Sequence, residues 1–288
     1  MPLQNHYLLW LLVIGSFLGF SLPNACASGA TQSHPMRLVS LAPSFTELVF
    51  SAGAGHQLVG AVAYSDYPKA AKSIARVGSL NALNYEALLQ LKPDLILVWR
   101  SGISESEIQR LQKLGFTLWI RDSQQLEDIP KLIQEIGQLT GNIQTAQQEA
   151  QRLQKQLQQR HLHYANLPPL RAFVQLWDSP LITVNGDQFI SQALNVCGVK
   201  NVFADLALLA PQVNYEAVIQ QNPQVILLGG QPDRQRSWQQ KWQRFQQIEA
   251  VAKQQFIHIK SDAFQRPTAR LIDALGGLCQ QIQRLRLK

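Results

Sequence analysis

The side chains best suited to chemistry stand where apolar runs end. Tyr64 follows the run Leu58 to Ala63, Trp99 and Arg100 close the run from Asp94, and Trp177 ends the run from Arg171. Asp262, Phe264 and Arg266 follow Phe256 to Ile259. Aromatic rings and charges at strand exits suit recognition of a large, partly flat ligand by packing and hydrogen bonding. Nothing pairs a nucleophile with a base, so the expectation is a binder with no catalysis of its own. No Gly-x-Ser-x-Gly elbow and no Walker loop occurs. Gly53-Ala54-Gly55 follows a helical run rather than a strand, and its third glycine comes too late, at Gly60. Histidines 34, 56, 161, 163 and 258 are scattered, and His161 and His163 face different ways on a helical stretch, so neither a metal site nor a resident cofactor is expected. The competing reading is a secreted enzyme using Asp66 or Asp262 as acid or base. It requires a carboxylate of shifted pKa beside an electrophile pocket.

The elements that must position these residues are announced by a repeat. Asn84-Tyr85-Glu86-Ala87 recurs as Asn214-Tyr215-Glu216-Ala217, and the likeness runs on without a gap through Pro93 and Pro223 into the apolar runs Leu95 to Val98 and Val225 to Leu228. Each copy reads as a short helix opened by an asparagine cap, stopped by proline and followed by a buried strand. Two copies of one helix-strand unit imply two similar lobes. Around the first copy, strands alternate with helices: Arg37 to Ala42, a helix after Pro43 with the capping-box spacing Ser44 to Glu47, Leu58 to Ala63, a second capping-box spacing at Ser104 to Glu107, and Phe116 to Ile120. That alternation predicts a doubly wound, Rossmann-like sheet. From Gln124 the pattern is helical. After Gly141 one segment continues to Tyr164 with Ile143, Ala146, Ala150, Leu153 and Leu157 at helical spacing, a rigid strut between the lobes. After Leu167-Pro168-Pro169 come strands at Arg171, Gly198, Gln224 and Phe256, a helix carrying Cys197, a helical stretch over 235–254, and a closing helix with Cys279. The expected organisation is a signal peptide over 1–27, a leader over 28–36, an N-terminal lobe over 37–123, a helical linker over 124–166 and a C-terminal lobe over 167–288.

At 288 residues and 46% hydrophobic, the chain can bury one large or two medium cores. Its net charge of +7 comes without a Lys/Arg block or a basic stripe interleaved with aromatics, which argues against nucleic acid as partner. Residues Tyr7 to Phe20 form an apolar stretch too short to span a bilayer comfortably, followed by the small-residue site Ala25-Cys26-Ala27. This reads as a secretory signal cleaved after Ala27, and hence as export. The first six residues lack Lys and Arg, which keeps an uncleaved anchor as the alternative. Lipidation of Cys26 is a further one, disfavoured by Pro23 and Asn24 just upstream. After cleavage two cysteines remain, Cys197 and Cys279, and an even count in an oxidising compartment predicts a disulfide.

Ser40 to Phe50, Tyr64-Ser65-Asp66-Tyr67-Pro68, Leu91-Lys92-Pro93-Asp94-Leu95, Trp99-Arg100, Val196-Cys197-Gly198 and Pro211-Gln212-Val213 together resemble the vitamin B12-binding proteins of bacterial ABC importers, a family of helix-bridged periplasmic binding proteins. The resemblance covers the chain from Arg37 to the C-terminal helix, and its single motifs are shared with haem and siderophore carriers. It implies two Rossmann-like α/β lobes with parallel sheets, joined by one long α-helix, holding cobalamin between them in the periplasm. It also implies a ligand set of Tyr64, Trp99 and Arg100 with the loop Asp262-Ala263-Phe264-Gln265-Arg266, to which Trp177 is added as an aromatic at a strand exit. Cys197 and Cys279 match the family disulfide. Glu86 and Glu216 match surface glutamates, one per lobe, that dock a monomeric carrier on a homodimeric permease with its ATPase subunits. The plainer account of these two acids is helix-start electrostatics, and both accounts can hold together. Leu80, Ala210 and Ala263 stand where the family has tryptophans near the ligand. That departure leaves room for a different corrinoid, or for haem with Tyr64 as an iron ligand.

Overall fold

The computed structural model describes residues 35–287. The expected signal peptide and cleavage site, Cys26 and most of the expected leader therefore lie outside the described residues. The first lobe comprises β1 (Leu38–Ser40), α1 (Pro43–Ser51), β2 (Leu58–Ala61), β3 (Ala75–Arg76), β4 (Gly78–Ser79), β5 (Ala82–Leu83), α2 (Tyr85–Leu91), β6 (Leu95–Trp99), α3 (Glu105–Lys113) and β7 (Leu118–Arg121). Two helices follow, α4 (Asp128–Thr140) and α5 (Ile143–Tyr164). The second lobe comprises β8 (Leu170–Gln175), β9 (Trp177–Asp178), β10 (Leu181–Ile182), α6 (Phe189–Val196), β11 (Val199–Asn201), α7 (Tyr215–Gln221), β12 (Val225–Leu228), α8 (Pro232–Trp242), α9 (Glu249–Ala252), β13 (Phe256–His258), α10 (Ser261–Phe264) and α11 (Ala269–Arg286).

The two main sheets are parallel throughout and share one order. The first runs β3-β2-β1-β6-β7 and the second β11-β8-β12-β13, so β2, β1, β6 and β7 answer to β11, β8, β12 and β13. Strands such as β6 and β12 are apolar along their whole length because helices cover both faces. In each sheet the order reverses beside the first strand, between β1 and β6 and between β8 and β12. Loops part there at the carboxyl ends and leave a crevice.

The repeat folds alike in both lobes. Asn84 and Asn214 each accept a hydrogen bond from the main-chain N–H three residues on, at 3.0 and 2.8 Å. The helices end at Lys92 and Asn222 in left-handed conformation, φ 45° and 42°. The likeness extends beyond the repeated segment. Arg37 donates to the Leu91 carbonyl at 2.7 Å, and Arg171, at the equivalent strand start, donates to the Asn222 carbonyl at 3.0 Å. Each arginine thus ties the end of its repeat helix to the first strand of its own sheet.

The strut α5 is 22 residues long, about 33 Å at 1.5 Å per residue. It buries Ala146, Ala150, Leu153, Leu157 and Tyr164, whereas Ile143 is exposed in its first turn. It packs along α4 after the reversal at Gly141 (φ 75°), and a Cβ on Gly137 would stand 2.2 Å from that of Ala146, so only glycine permits this approach. Its other side meets α6 and α11, with Arg152 bonded to Asp273 at 2.6 Å. One hydrophobic cluster runs from α1 and α4 through α5 to α6 and α11. The strut is therefore embedded in a core common to both lobes. Cys197 and Cys279 form a disulfide that fastens the end of α6 to α11.

Several local expectations are corrected. The spacing Ser44 to Glu47 makes no capping box: α1 starts at Pro43, its cap residue Ala42 offers no side chain, and Glu47 is drawn elsewhere. At the second such spacing Ser104 does cap α3, accepting from the Glu107 N–H at 3.2 Å. The stretch 235–254 is two helices, because the chain turns to bury Trp242 and Ile248 and gives the Trp242 indole N–H to Gln175 at 2.7 Å. Two short hairpins, β4–β5 and β9–β10, are additions to the elements read from the sequence.

Candidate ligand-binding gap between the lobes

Both sheets aim their carboxyl ends at one gap. A cavity of about 510 Å³ lies there. The end of β6 supplies Trp99 and Ser101, and the segment after β7 supplies Asp122, Ser123, Gln124 and Gln125. The second lobe brings Asp187, Gln188 and Phe189 at the start of α6, Leu209, and Gln265 with Pro267. The lining is aromatic and aliphatic surface rimmed by side-chain amides, with two carboxylates and no Lys or Arg.

Trp99 is held on two sides. Its indole N–H donates to Asp122 at 2.7 Å, and its ring lies over Gly102, where an added Cβ would come within 2.2 Å. Asp122 also accepts from Ser101 and from the Ser123 N–H. Across the gap Gln188 caps α6, accepting from the Ile190 N–H at 3.0 Å, while Asn185 orders the preceding turn by accepting from the N–H groups of Asp187 and Gln188. Gln192 ties this wall to the segment ahead of α4: it donates to the Gln124 carbonyl at 2.7 Å and accepts from the Leu126 N–H at 3.0 Å. Trp99 and the Gln188 amide are thus preset rather than left to rotate.

At another edge the lobes are joined by charge. Arg266 of the second lobe donates to Asp66 at 2.8 Å, to Glu47 at 3.1 Å and to the Tyr64 carbonyl at 3.1 Å. Arg270, one helical turn on, donates to Glu47 at 2.7 Å and to Asp262 at 2.8 Å, and its guanidinium stacks 4.3 Å from the centre of the Tyr67 ring. The hydrogen bond from Arg266 holds the Asp66 carboxyl below the usual aspartate range, against partial burial. Burial works against the charge of Arg266, but its bonds to Asp66 and Glu47 more than offset this and leave its pKa above the ordinary arginine value. Asp66 and Asp262 line a second cavity of about 560 Å³ together with Gln231, His258 and Lys260. Burial lowers the pKa of His258.

The residues singled out from sequence are distributed as follows. Trp99 and Gln265 line the first cavity and Asp262 the second. Arg266 is committed to the ionic join. Tyr64 stands at the same edge, 79% exposed and with its backbone at φ 65°, a conformation that costs a tyrosine energy and is imposed by its surroundings. Arg100 is exposed and paired with Glu105. Trp177, on β9, is half exposed, with Arg234 stacked 4.3 Å from its ring centre. Ala263 and Phe264 are buried where α10 packs on α11 and offer the gap almost no surface. Leu80 sits half-buried at the tip of the β4–β5 hairpin, and Ala210 is exposed. Glu86 and Glu216 are exposed in the first turns of α2 and α7, one per lobe.

Sequence reasoning missed Glu47, Arg270, Asp122, Phe189 and the glutamines other than Gln265. Glu47 had a readable signal: it is the one charge in a helix that is otherwise apolar or small, and a charge there requires a partner. The rest had none, since neither a polar residue in a loop nor Phe189 and Arg270 in the first turns of α6 and α11 reveal their facing until two lobes are brought together.

A sequence profile of the family described as "Periplasmic binding protein" matches residues 38–263. The vitamin B12-binding protein of Pectobacterium atrosepticum is 33% identical over 264 residues, 90% of this chain and 92% of that protein. That of Vibrio cholerae serotype O1 is 34% identical over 247 residues, 86% and 89% of the two chains. Among solved structures, the periplasmic vitamin B12-binding protein BtuF of Vibrio cholerae superposes with a TM-score of 0.79 at 33% identity, covering 88% of this chain and 98% of that one. The periplasmic haem-binding protein RhuT from Roseiflexus sp. RS-1 superposes at 0.76 with 19% identity, covering 88% and 99%, a likeness of fold alone.

Proposed function

The chain belongs to the periplasmic binding protein family, and we propose that within it this protein captures cobalamin or a related corrinoid between its lobes and delivers it to an ABC permease. The permease is a homodimer served by ATPase subunits, and the carrier meets it as a monomer, one lobe to each half. The carrier performs no catalysis and holds no resident cofactor; the metal it carries arrives already chelated in its cargo. It works in the periplasm after removal of the signal over 1–27.

One observation carries the choice of ligand: the first cavity combines Trp99, Phe189 and Leu209 with the amides of Gln124, Gln125, Gln188 and Gln265, and none of its lining residues is a cation. A corrinoid is a flat macrocycle rimmed by neutral amides, which side-chain amides match in both donors and acceptors. Haem presents two carboxylates, whose burial calls for a paired cation. The three guanidiniums adjacent in sequence to this lining are already paired: Arg100 with Glu105, Arg121 with Glu135, and Arg266 with Glu47 and Asp66. The vitamin B12-binding relatives, identical at about one position in three over most of the chain, support the same choice. We place Trp99 and Gln265 against the macrocycle, with Tyr64, Arg100, Trp177 and Asp262 at its rim, Ala263 and Phe264 backing the loop, and Arg266 holding the lobes.

The test is a titration of the mature protein with cyanocobalamin and, separately, with hemin, read by visible absorbance and calorimetry. Cyanocobalamin binding tighter than about 1 μM, or about −8 kcal/mol, is expected. A hemin Soret shift with no corrinoid binding overturns the ligand assignment in favour of a haem carrier. Silence from both removes tetrapyrroles altogether.

A further inference from the structure

Two arginines outside the repeated segments extend the docking face, on the reading that Glu86 and Glu216 meet the permease. In the first lobe the Arg110 guanidinium, on α3, lies 4.1 Å from the centre of the Tyr85 ring. In the second, Arg244, just past α8, lies 5.5 Å from that of Tyr215 and 5.0 Å from that of Phe245. Tyr85 and Tyr215 are the residues directly before Glu86 and Glu216. Arg110 sits in the crossover from β6 to β7 and Arg244 in that from β12 to β13, the equivalent crossovers of the two sheets. One arginine is on a helix and the other in a turn, so inheritance of the repeat helix alone does not account for the recurrence.

Both arginines are exposed, and among the described residues neither has an acidic partner. Glu86 accepts one bond from Gln90 at 3.3 Å, and neither glutamate is paired with a base among those residues. A ring face holds a guanidinium in place without cancelling its charge. Each lobe therefore carries an exposed arginine held on the ring of the residue before an exposed glutamate, and neither charge is paired with an opposite one among the described residues. A uniformly basic partner pocket would attract the glutamates and repel the arginines held on the neighbouring tyrosines.

We propose that the docking face of each lobe is a bipolar pair, Glu86 with Arg110 and Glu216 with Arg244. Its partner presents, at each of two equivalent places, a basic group for the glutamate and a carboxylate beside it for the arginine. Two pairs of opposite sign also fix the rotation of the carrier on a symmetric partner, which a single charge per lobe leaves loose.

The sign of a charge reversal decides the matter. Docking of the mature protein, with excess cyanocobalamin, to the source organism's permease–ATPase complex in nanodiscs is followed by surface plasmon resonance at low salt. The variants are R110E/R244E, R110Q/R244Q and E86A/E216A, each checked for cyanocobalamin affinity and melting temperature. The Gln pair is expected to slow association about threefold or more and the Glu pair about tenfold or more, with ligand affinity within about twofold of wild type. Glutamate docking onto a purely basic pocket requires the opposite, faster association of R110E/R244E, and that result or an unchanged rate overturns the proposal. E86A/E216A reports separately: docking at the wild-type rate removes the glutamates from the interface whatever the arginine variants do. Should R110E/R244E melt early, the uncharged Gln pair decides alone, and an unchanged rate there overturns the proposal equally.

Discussion

Replacing Glu47 by glutamine is expected to lower stability by about 3 kcal/mol, the low end of the cost of breaking a buried ion pair. The Glu47 side chain is 2% exposed and accepts three hydrogen bonds, from Arg270 at 2.7 and 3.2 Å and from Arg266 at 3.1 Å. Glutamine keeps the volume and one acceptor oxygen, so what is lost is the charge that compensates two guanidiniums. Those guanidiniums are 18% and 20% exposed and retain Asp262 and Asp66, which is why the low end applies. For a chain of this size 1 kcal/mol moves the melting temperature by roughly 2 to 4 °C, so the loss amounts to about 6 to 12 °C. Scanning calorimetry at neutral pH reads it directly, and a double-mutant cycle with Arg270→Gln should return a coupling of at least about 1 kcal/mol. A melting temperature within about 2 °C of wild type, or a coupling near zero, would refute the claim that these charges bind the lobes together. Ser44→Ala, which a capping role would make worth about 1 kcal/mol, should leave the melt within about 1 °C of wild type, since its hydroxyl caps nothing.

Three further outcomes follow from the same reasoning. Reducing the Cys197 to Cys279 bridge frees a loop with a sequence separation of 82, worth about 4.5 kcal/mol by chain entropy; the urea midpoint should fall on adding dithiothreitol, and an unmoved midpoint refutes this. Asn84→Ala and Asn214→Ala should each cost about 1 kcal/mol, and the pair should add because the caps belong to different sheets; a chemical-denaturation series reads both, and strong non-additivity would sink the picture of two independent copies. Asp66 has its pKa depressed in the folded protein, so its bond to Arg266 contributes fully above the ordinary aspartate value of 3.8 and is lost as pH falls through the lower folded value. The stability gap between wild type and Asp66→Asn should therefore be present at neutral pH, at most about 1 kcal/mol for a half-exposed pair, and should close in acid; a gap that widens in acid contradicts the assignment.

Local chemistry is what the sequence states without help. The caps at Asn84 and Asn214, the stops before Pro93 and Pro223, the reversal at Gly141 and the stripe from Ala146 to Leu157 each depend on residues within a few positions of one another, and all recur in the structure. From them follow two matching lobes and a helix between, and the resemblance carried by scattered motifs pointed to the same family. What the tertiary structure decided was everything requiring two distant segments to meet. Glu47 and Arg266 stand 219 positions apart, so no local pattern reveals that a helix-start acid is spent on the far lobe. Phe264 reads as an aromatic at a strand exit, but one turn of helix packed on α11 carries it into the core. Arg110 and Arg244 look like ordinary surface charges until each lies over the tyrosine of a repeat. Side-chain facing depends on which surfaces the chain brings together, and only packing across the whole molecule settles that.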